Sequence, residues 1–302
     1  MCRKLKLSLY IKPSINTTMR KSLAFIGFII ISLSGFSQNP EPVYLWPDKV
    51  PGETDSKHDP VQTPNKDGNV IRLTDVTNPA FLTFKPAKEN SNGAGVIICP
   101  GGAYNILSFD KEGTEIAAWL TNQGFTAFVL QYRVPKKQEG ALMDIQRTIR
   151  LIRNDSNKYG LKSNKIGVMG FSAGGSLSAR AAILSAKKSY SPIDKADSLS
   201  CRPDFALLIY PAYLDQGTNR SLTPELIVDQ NTPPMFLFAT ADDSYSNSAL
   251  VMTTALRDAK VPVELHFLSK GGHGYGLRAG NIAGETWPGL AEVWLKNIIV
   301  IK

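Results

Sequence analysis

The sequence Gly170-Phe171-Ser172-Ala173-Gly174-Gly175 is the strongest single indication of fold and chemistry in this chain. It follows a short apolar run, Lys165 to Met169, and precedes a run typical of a helix, residues 176–186. A glycine-x-serine-x-glycine motif between a strand and a helix predicts a nucleophile elbow, a tight turn with the serine at its apex. The flanking glycines let the backbone turn sharply. Ser172 is therefore the candidate nucleophile, and the N–H of Ala173 at the helix start is a candidate oxyanion donor.

Apolar strand-like segments alternate with helix-like segments over most of the chain. The predicted strands are Gly95 to Cys99, Thr126 to Tyr132, Lys165 to Gly170, Asp204 to Tyr210, Met235 to Thr240 and Val263 to Phe267. The predicted helices are Lys111 to Gln123, Ala141 to Lys158, Gly174 to Ala186, Ser246 to Ala259 and Thr286 to Ile299. This alternation predicts an α/β fold, with a mostly parallel central sheet and helices on both faces. Nearer the N-terminus, Val70 to Val76 and Ala80 to Phe84 predict an antiparallel strand pair.

The first 37 residues have the pattern of a targeting segment. Basic residues precede the apolar run Ser22 to Phe36, and small residues stand at the end of that run. This is typical of a secretory signal peptide cleaved after Ser37, with an uncleaved anchor as the alternative and Met19 as a possible true start. Residues 38–302 are predicted to form one domain, because no internal repeat or long linker interrupts them. We expect a secreted or periplasmic protein.

Charge and cysteine content argue against several kinds of partner. The formal net charge of +8 includes six basic residues, and no acidic ones, in the targeting segment, so the remainder carries +2. Such a small charge gives no reason to expect nucleic acid, or a membrane after signal cleavage, as a partner. Cys99 ends a predicted strand and Cys201 precedes one, so they are expected at opposite edges of the sheet and reduced. The chain has no H-E-x-x-H, C-x-x-C or EF-hand spacing, and no metal or cofactor is expected.

A serine nucleophile needs a base, and the chain has three histidines. His58 lies in a polar N-terminal segment and His266 within a predicted strand, whereas His273 lies in a glycine-rich loop after the last strand. His273 is therefore the predicted base. The predicted acid is Asp243, one residue further into its loop than Asp242, which stays open as the alternative or as a turn or helix-capping residue. The order serine, aspartate, histidine is that expected of α/β-hydrolases.

Backbone donors for an oxyanion are predicted in the loop after the first strand of the parallel sheet. The loop Pro100-Gly101-Gly102-Ala103-Tyr104 occupies the position of the glycine-rich oxyanion loop of esterases. The N–H groups of Gly102 and Ala103, with Gly101 as support, are expected to act together with that of Ala173.

Tyrosines are concentrated in the loops at the predicted catalytic edge of the sheet. They are Tyr104, Tyr213, Tyr245 and Tyr275. These rings are expected either to form a rim on which a sugar stacks or only to pack the loops together, and Tyr104, Tyr213 and Tyr275 are the candidate substrate-binding residues. About two dozen residues separate the strand ends at 210 and 235, so no large lid for long acyl chains is expected.

Several motifs resemble those of one known group of enzymes. They are Cys99 to Tyr104, Asp110 to Glu115, Tyr132 to Pro135, Gly170 to Gly175, Cys201 to Phe205 and Gly271 to Gly276. Over roughly residues 44–300 the chain is similar to secreted bacterial α/β-hydrolase esterases of the acetylxylan esterase, xylanase-B-like or dienelactone-hydrolase-like type. The resemblance implies hydrolysis of carboxylic esters through an acyl-enzyme, with O-acetyl groups on xylan or related plant oligo- and polysaccharides, or a small ester, as substrate. The loop after the acid is shorter than in that group, which leaves Asp242 and Asp243 both open.

Three other functions stay open. One is a feruloyl or general short-chain carboxylesterase. A serine peptidase of the oligopeptidase type is less favoured, because no propeller-sized N-terminal domain is expected from these residues. A catalytically silent hydrolase-fold binding protein would ordinarily have a broken triad, whereas this sequence holds every part of one.

Overall fold

This computed structural model describes residues 40–64 and 69–300, which form eleven strands and six α-helices. Eight of the strands form the central sheet, and the other three form a small second sheet. The strands are β1 (Val43–Tyr44), β2 (Val61–Gln62), β3 (Arg72–Thr74), β4 (Ala80–Phe84), β5 (Gly95–Cys99), β6 (Leu107–Ser108), β7 (Thr126–Gln131), β8 (Ile166–Phe171), β9 (Ala206–Ile209), β10 (Met235–Thr240) and β11 (Val263–Leu268). The helices are α1 (Glu115–Asn122), α2 (Gln138–Asn154), α3 (Ser156–Tyr159), α4 (Ala173–Ile183), α5 (Asn247–Asp258) and α6 (Ile282–Val300).

The central sheet has the strand order β1-β4-β7-β5-β8-β9-β10-β11. From β7 to β11 all neighbouring strands are parallel, whereas β4 pairs antiparallel with both β7 and β1. The prediction of a mostly parallel sheet with antiparallel strands near the N-terminus is therefore confirmed. A second, small antiparallel sheet has the order β2-β3-β6, and its two-residue outer strands are too short to leave an alternating pattern in the sequence.

One detail of the predicted strand pairing is wrong, because residues 70–76 and 80–84 do not pair with each other. The first segment supplies β3 of the small sheet, and the second supplies β4 of the central sheet. The chain changes direction at Asp75, whose φ of 49° is unusual for a residue with a side chain. The next N–H, that of Val76, donates to the carbonyl of Val134, and the carbonyl of Pro79 accepts from Leu45. These contacts carry the two segments to different sheets.

Helices cover both faces of the central sheet, and the strand side chains alternate between them. Along β5, Ile97 packs in the same apolar cluster as Ile149 of α2, whereas Ile98 packs in the cluster that holds Trp287 of α6. This alternation is the two-residue period of an extended strand, with both faces buried. The expected helices on both faces are thus confirmed, as are the predicted thiols, since Cys99 and Cys201 are both free and buried.

The predicted signal segment, residues 1–37, lies outside the described residues. From Pro40 onward the described residues belong to one compact unit. None of the helices in the described ranges is both long and apolar enough to cross a bilayer.

The parallel strands bring the candidate site residues to one edge. Strands β5, β8, β10 and β11 all run in the same direction, so their carboxyl ends lie at the same edge of the sheet. The loops that follow these four strands carry Gly102, Ser172, Asp243 and His273 in turn. In open α/β sheets this is the edge at which ligands bind.

Candidate active site

Ser172 stands between β8 and α4 in a conformation that few residues with a side chain adopt. Its φ of 51° and ψ of −118° are those of a strained turn, which its surroundings enforce. The Ser172 N–H donates to the Ile209 carbonyl, and its own carbonyl accepts from Ala212. A side chain at Gly170 would clash with the Gly174 carbonyl, so only glycine fits at that position. The local structure is therefore a nucleophile elbow.

His273 connects Ser172 to Asp243 by two short hydrogen bonds. Its Nε2 lies 2.7 Å from Ser172 Oγ, and its Nδ1 lies 2.7 Å from Asp243 Oδ2. Because the Asp243 carboxylate can only accept, Nδ1 carries the proton and Nε2 is free to accept from the serine hydroxyl. The Asp243 side chain is fully buried, whereas that of His273 is 29% exposed. The imidazole therefore faces the solvent side of the site with a fixed tautomer.

Asp242 contacts the backbone of the histidine loop and not the imidazole. Its Oδ1 accepts from the Gly272 N–H at 2.8 Å and its Oδ2 from the Gly271 N–H at 3.2 Å. These two backbone donors, Gly272 first, lower the pKa of the Asp242 carboxyl. The two adjacent acids, of which the sequence favoured Asp243, thus have different contacts: Asp243 contacts His273, and Asp242 holds the two residues that precede it.

The predicted oxyanion donors lie on two elements that meet at Ser172. Within the described part of the chain, no acceptor takes the N–H of Gly102, Ala103 or Ala173. Gly102 (φ 134°) and Ala103 (φ 55°) are both in left-handed backbone conformations, which turn the loop after β5 sharply. The supporting role expected of Gly101 is corrected, because its N–H donates to Glu112 Oε2 at 2.8 Å.

A buried carboxylate that the sequence did not single out lies behind the oxyanion loop. Glu112 is 4% exposed, and besides the Gly101 N–H it accepts the Tyr210 hydroxyl at 2.8 Å. The Tyr210 oxygen in turn accepts from the Gly276 N–H at 3.0 Å. Burial raises the pKa of Glu112, and the hydrogen bonds from Tyr210 and Gly101 oppose that rise.

The sequence carried little signal for these roles. Glu112 stands within a predicted helix, where a carboxylate is ordinarily exposed. The structure instead has a π-helical turn at Asp110–Thr114, and this turn buries the Glu112 side chain. Tyr210 ends a predicted strand, and a tyrosine there is usually only a core residue. The segment from Asp110 to Glu115 did stand out by resemblance, but without an assigned role.

A cavity of about 490 Å³ opens above Ser172 and His273. Tyr213 and Tyr245 line it, and the Tyr245 ring lies 5.0 Å from that of His273. Of the three tyrosines predicted to bind substrate, only Tyr213 lines this cavity. Tyr104 is 4% exposed and lines a neighbouring cavity instead. The prediction for Tyr275 is corrected, because it is 5% exposed and packs in the core against Tyr210.

The assembled groups suit acyl transfer. The Ser172 hydroxyl, the His273 imidazole and the buried Asp243 carboxylate are linked by hydrogen bonds. Beside them lie backbone N–H groups that have no acceptor among the described residues. Such a set can deprotonate the nucleophile and stabilise a tetrahedral oxyanion. Among residues 40–64 and 69–300 no group of three or more His, Cys, Asp or Glu side chains could hold a metal ion.

The sequence is similar to known esterases and xylan-degrading proteins. The BD-FAE family model matches residues 83–205. The acetylxylan esterase of Xylanibacter ruminicola is 27% identical over 233 residues, which cover 68% of this chain and 46% of that protein. The endo-1,4-beta-xylanase B of Butyrivibrio fibrisolvens is 32% identical over 206 residues, covering 59% of this chain and 32% of that protein. The chain thus spans less than half the length of these curated relatives.

Solved structures extend the similarity over most of the chain. The acetyl ester-xyloside bifunctional hydrolase from Caldicellulosiruptor lactoaceticus superposes with a TM-score of 0.69 and 29% identity, covering 88% of this chain and 98% of that one. An esterase from Thermogutta terrifontis, at 20% identity, shares the fold with a TM-score of 0.64, covering 74% of this chain and 91% of that one. The chain has the α/β-hydrolase fold and is similar to acetylxylan esterases, which confirms the resemblance predicted from its motifs.

Proposed function

We propose that this chain, an α/β-hydrolase similar to acetylxylan esterases, is a serine esterase that removes O-acetyl groups from xylan or related plant oligo- and polysaccharides. The observation that carries the proposal is the hydrogen-bonded row from Ser172 through His273 to Asp243 at 2.7 Å per step. A protein that only binds ligands would not need these hydrogen-bonded side chains next to backbone N–H groups that have no acceptor in the part of the chain that the structure describes.

The reaction follows from these positions. Ser172 Oγ attacks the ester carbonyl while its proton moves to His273 Nε2, and the carbonyl oxygen becomes an oxyanion bound by the N–H groups of Gly102, Ala103 and Ala173. The imidazolium, stabilised by Asp243, then gives its proton to the departing alcohol and leaves an acyl-enzyme. A water molecule, deprotonated by the same nitrogen, releases the carboxylic acid and restores the serine.

Two observations support an acetylated carbohydrate as the substrate. The similar proteins named above include an acetylxylan esterase and an acetyl ester-xyloside hydrolase. Their names cover both the acetyl group and the xylose-containing alcohol of the proposed ester. The cavity above Ser172 combines the rings of Tyr213 and Tyr245 with polar side chains that include Asn105 and Lys111. Aromatic rings with polar groups around them suit the apolar faces and hydroxyl edge of a sugar ring.

An ester panel tests this function. We expect the wild type to release acetate from acetylated xylan, and to hydrolyse 4-nitrophenyl acetate faster than the butyrate or methyl ferulate. Ser172→Ala should lower kcat about a thousandfold or more, since the acyl-enzyme cannot form. Undiminished hydrolysis by Ser172→Ala would remove the assignment of the nucleophile. Turnover of ferulate or butyrate esters without acetate release would replace the acetylated carbohydrate by a feruloyl or general short-chain ester.

We propose further that residues 1–37 direct export and that cleavage follows Ser37. The support is the order of basic, apolar and small residues in this segment, with no acidic residue among them. Mass spectrometry of the protein recovered from the periplasm or medium should give a chain that begins at Gln38. A protein that keeps residues 22–36 and stays in the membrane fraction would show an anchor instead.

A further inference from the structure

A second cavity, of about 480 Å³, lies next to the one above Ser172. The two share Ala103 and Tyr213, so only the oxyanion loop and one tyrosine separate them. Tyr104 lines the second cavity but not the first, and its ring lies 6.4 Å from that of Tyr213 with 31° between the planes. A substrate whose ester is held at Ser172 therefore has this second space within reach on the far side of Ala103.

The distance between the two cavities can be read along α4. Ser172 stands at its N-terminus, while Ser176 and Arg180, four and eight residues further, line the second cavity. Residues four apart lie on the same face of a helix, about 6 Å apart along its axis, and Arg180 Nε reaches back to Ser176 Oγ at 3.3 Å. The second cavity therefore begins about one sugar ring from Ser172, where the neighbour of an acetylated sugar unit would lie.

Arg180 is an oriented hydrogen-bond donor in the lining of the second cavity. Arg180 Nη1 donates to Glu225 Oε1 at 2.6 Å, and Nε donates to Ser176 Oγ at 3.3 Å. These bonds orient the guanidinium before any ligand arrives, which lowers the entropic cost of binding to it. Gln138 and Gln216, at the exposed mouth, form no side-chain hydrogen bond with other described residues and can bond a ligand.

The lining selects among ligand classes. Among the described residues around the cavity, the charges of Glu139 and Glu225 balance those of Arg180 and Lys187, so no net charge favours an anionic ligand. A long acyl chain would desolvate these polar groups without replacing their hydrogen bonds. A neutral sugar offers hydroxyl groups to them and an apolar ring face to Tyr213.

We propose that this second cavity is a subsite for a neutral sugar unit of the substrate's alcohol part, removed from the acetylated unit by at least one glycosidic bond. The inference deepens the proposed function and depends on it. It makes the enzyme one that prefers acetylated oligosaccharides of two or more units over acetylated monosaccharides, because only the longer ligand reaches Arg180, Gln138 and Gln216.

Two measurements test the subsite. First, kcat/KM is compared for acetylated xylose, acetylated xylotriose and 4-nitrophenyl acetate in the wild type, in the double variant Gln138→Ala/Gln216→Ala and in Gln230→Ala. Gln230 is an exposed glutamine that does not line the cavity, and serves as the matched control. Second, calorimetry measures binding of unacetylated xylotriose to Ser172→Ala with and without the double substitution.

We expect the wild type to favour acetylated xylotriose over acetylated xylose by about tenfold. The double variant should lose most of that preference through KM and bind xylotriose more weakly, while Gln230→Ala behaves as the wild type. Equal kcat/KM for the two sugars, or a preference that survives the double substitution, overturns the subsite while the esterase stands. If only 4-nitrophenyl acetate is hydrolysed, the carbohydrate assignment fails, and calorimetry alone decides: weaker xylotriose binding in the double variant supports the subsite, and no binding or unchanged binding overturns it.

Discussion

Glu112 and Tyr210 share a buried hydrogen bond of 2.8 Å that joins the two loops of the site. On one side Glu112 holds the Gly101 N–H in the oxyanion loop, and on the other the Tyr210 oxygen holds the Gly276 N–H in the histidine loop. The Tyr210 ring also lies 5.1 Å from that of His273. One side-chain pair therefore connects the loop of the proposed oxyanion donors to the loop of His273, the proposed base.

Removing the hydroxyl in Tyr210→Phe should lower kcat for 4-nitrophenyl acetate by about 10- to 100-fold with little change in KM. The substitution leaves the Gly276 N–H without its acceptor, and small displacements of catalytic groups cost rates of this order. Tyr190→Phe is the matched control, because the Tyr190 hydroxyl also donates to a carboxylate, that of Asp197 at 2.7 Å, but contacts none of the site residues. Equal kcat losses in the two variants would mean that Tyr210 only stabilises the fold.

Glu112→Gln should change how stability depends on pH. Burial raises the pKa of Glu112 above its ordinary value of 4.5. Between that ordinary value and the raised one, the folded protein keeps a proton that the unfolded chain has released, so rising pH favours unfolding. The unfolding free energy of the wild type, measured by urea denaturation, should therefore fall relative to that of Glu112→Gln as pH rises above about 4.5. A difference between the two proteins that stays constant from pH 4 to 7 would contradict this linkage.

The positions of the parallel strands along the chain, and the loops that carry the site, could be predicted because they depend on local patterns. Apolar runs with glycine-rich ends marked β5 and β8, and the rarity of histidine left His273 as the candidate base. The sequence favoured Asp243 over Asp242 but left both open, since the choice depends on which carboxylate the loop turns inward. Glu112 was missed for the same reason: its role requires the burial that only the π-helical turn creates.

Exchanging the two adjacent acids for asparagine should separate their roles. Asp243→Asn should lower kcat about a thousandfold or more, because an amide no longer fixes the proton on His273 Nδ1 or stabilises the imidazolium. Asp242→Asn keeps one acceptor oxygen for the Gly271 and Gly272 N–H groups and should lower kcat about tenfold at most. Steady-state kinetics on 4-nitrophenyl acetate measure both. The reverse order of losses would make Asp242 the triad acid.

Asp144→Ala should destabilise the protein by about 3–5 kcal/mol, because it leaves a buried guanidinium without its counter-ion. Arg133 and Asp144 form an ion pair at 2.9 Å with both side chains at most 2% exposed, and Asp144 also accepts from Trp46 Nε1. The surface pair of Arg257 and Asp258, more than 60% exposed on both sides, is the control. Asp258→Ala should change the unfolding free energy by less than about 1 kcal/mol. Similar losses in the two variants, measured by urea denaturation, would show that burial does not govern the strength of the inner pair.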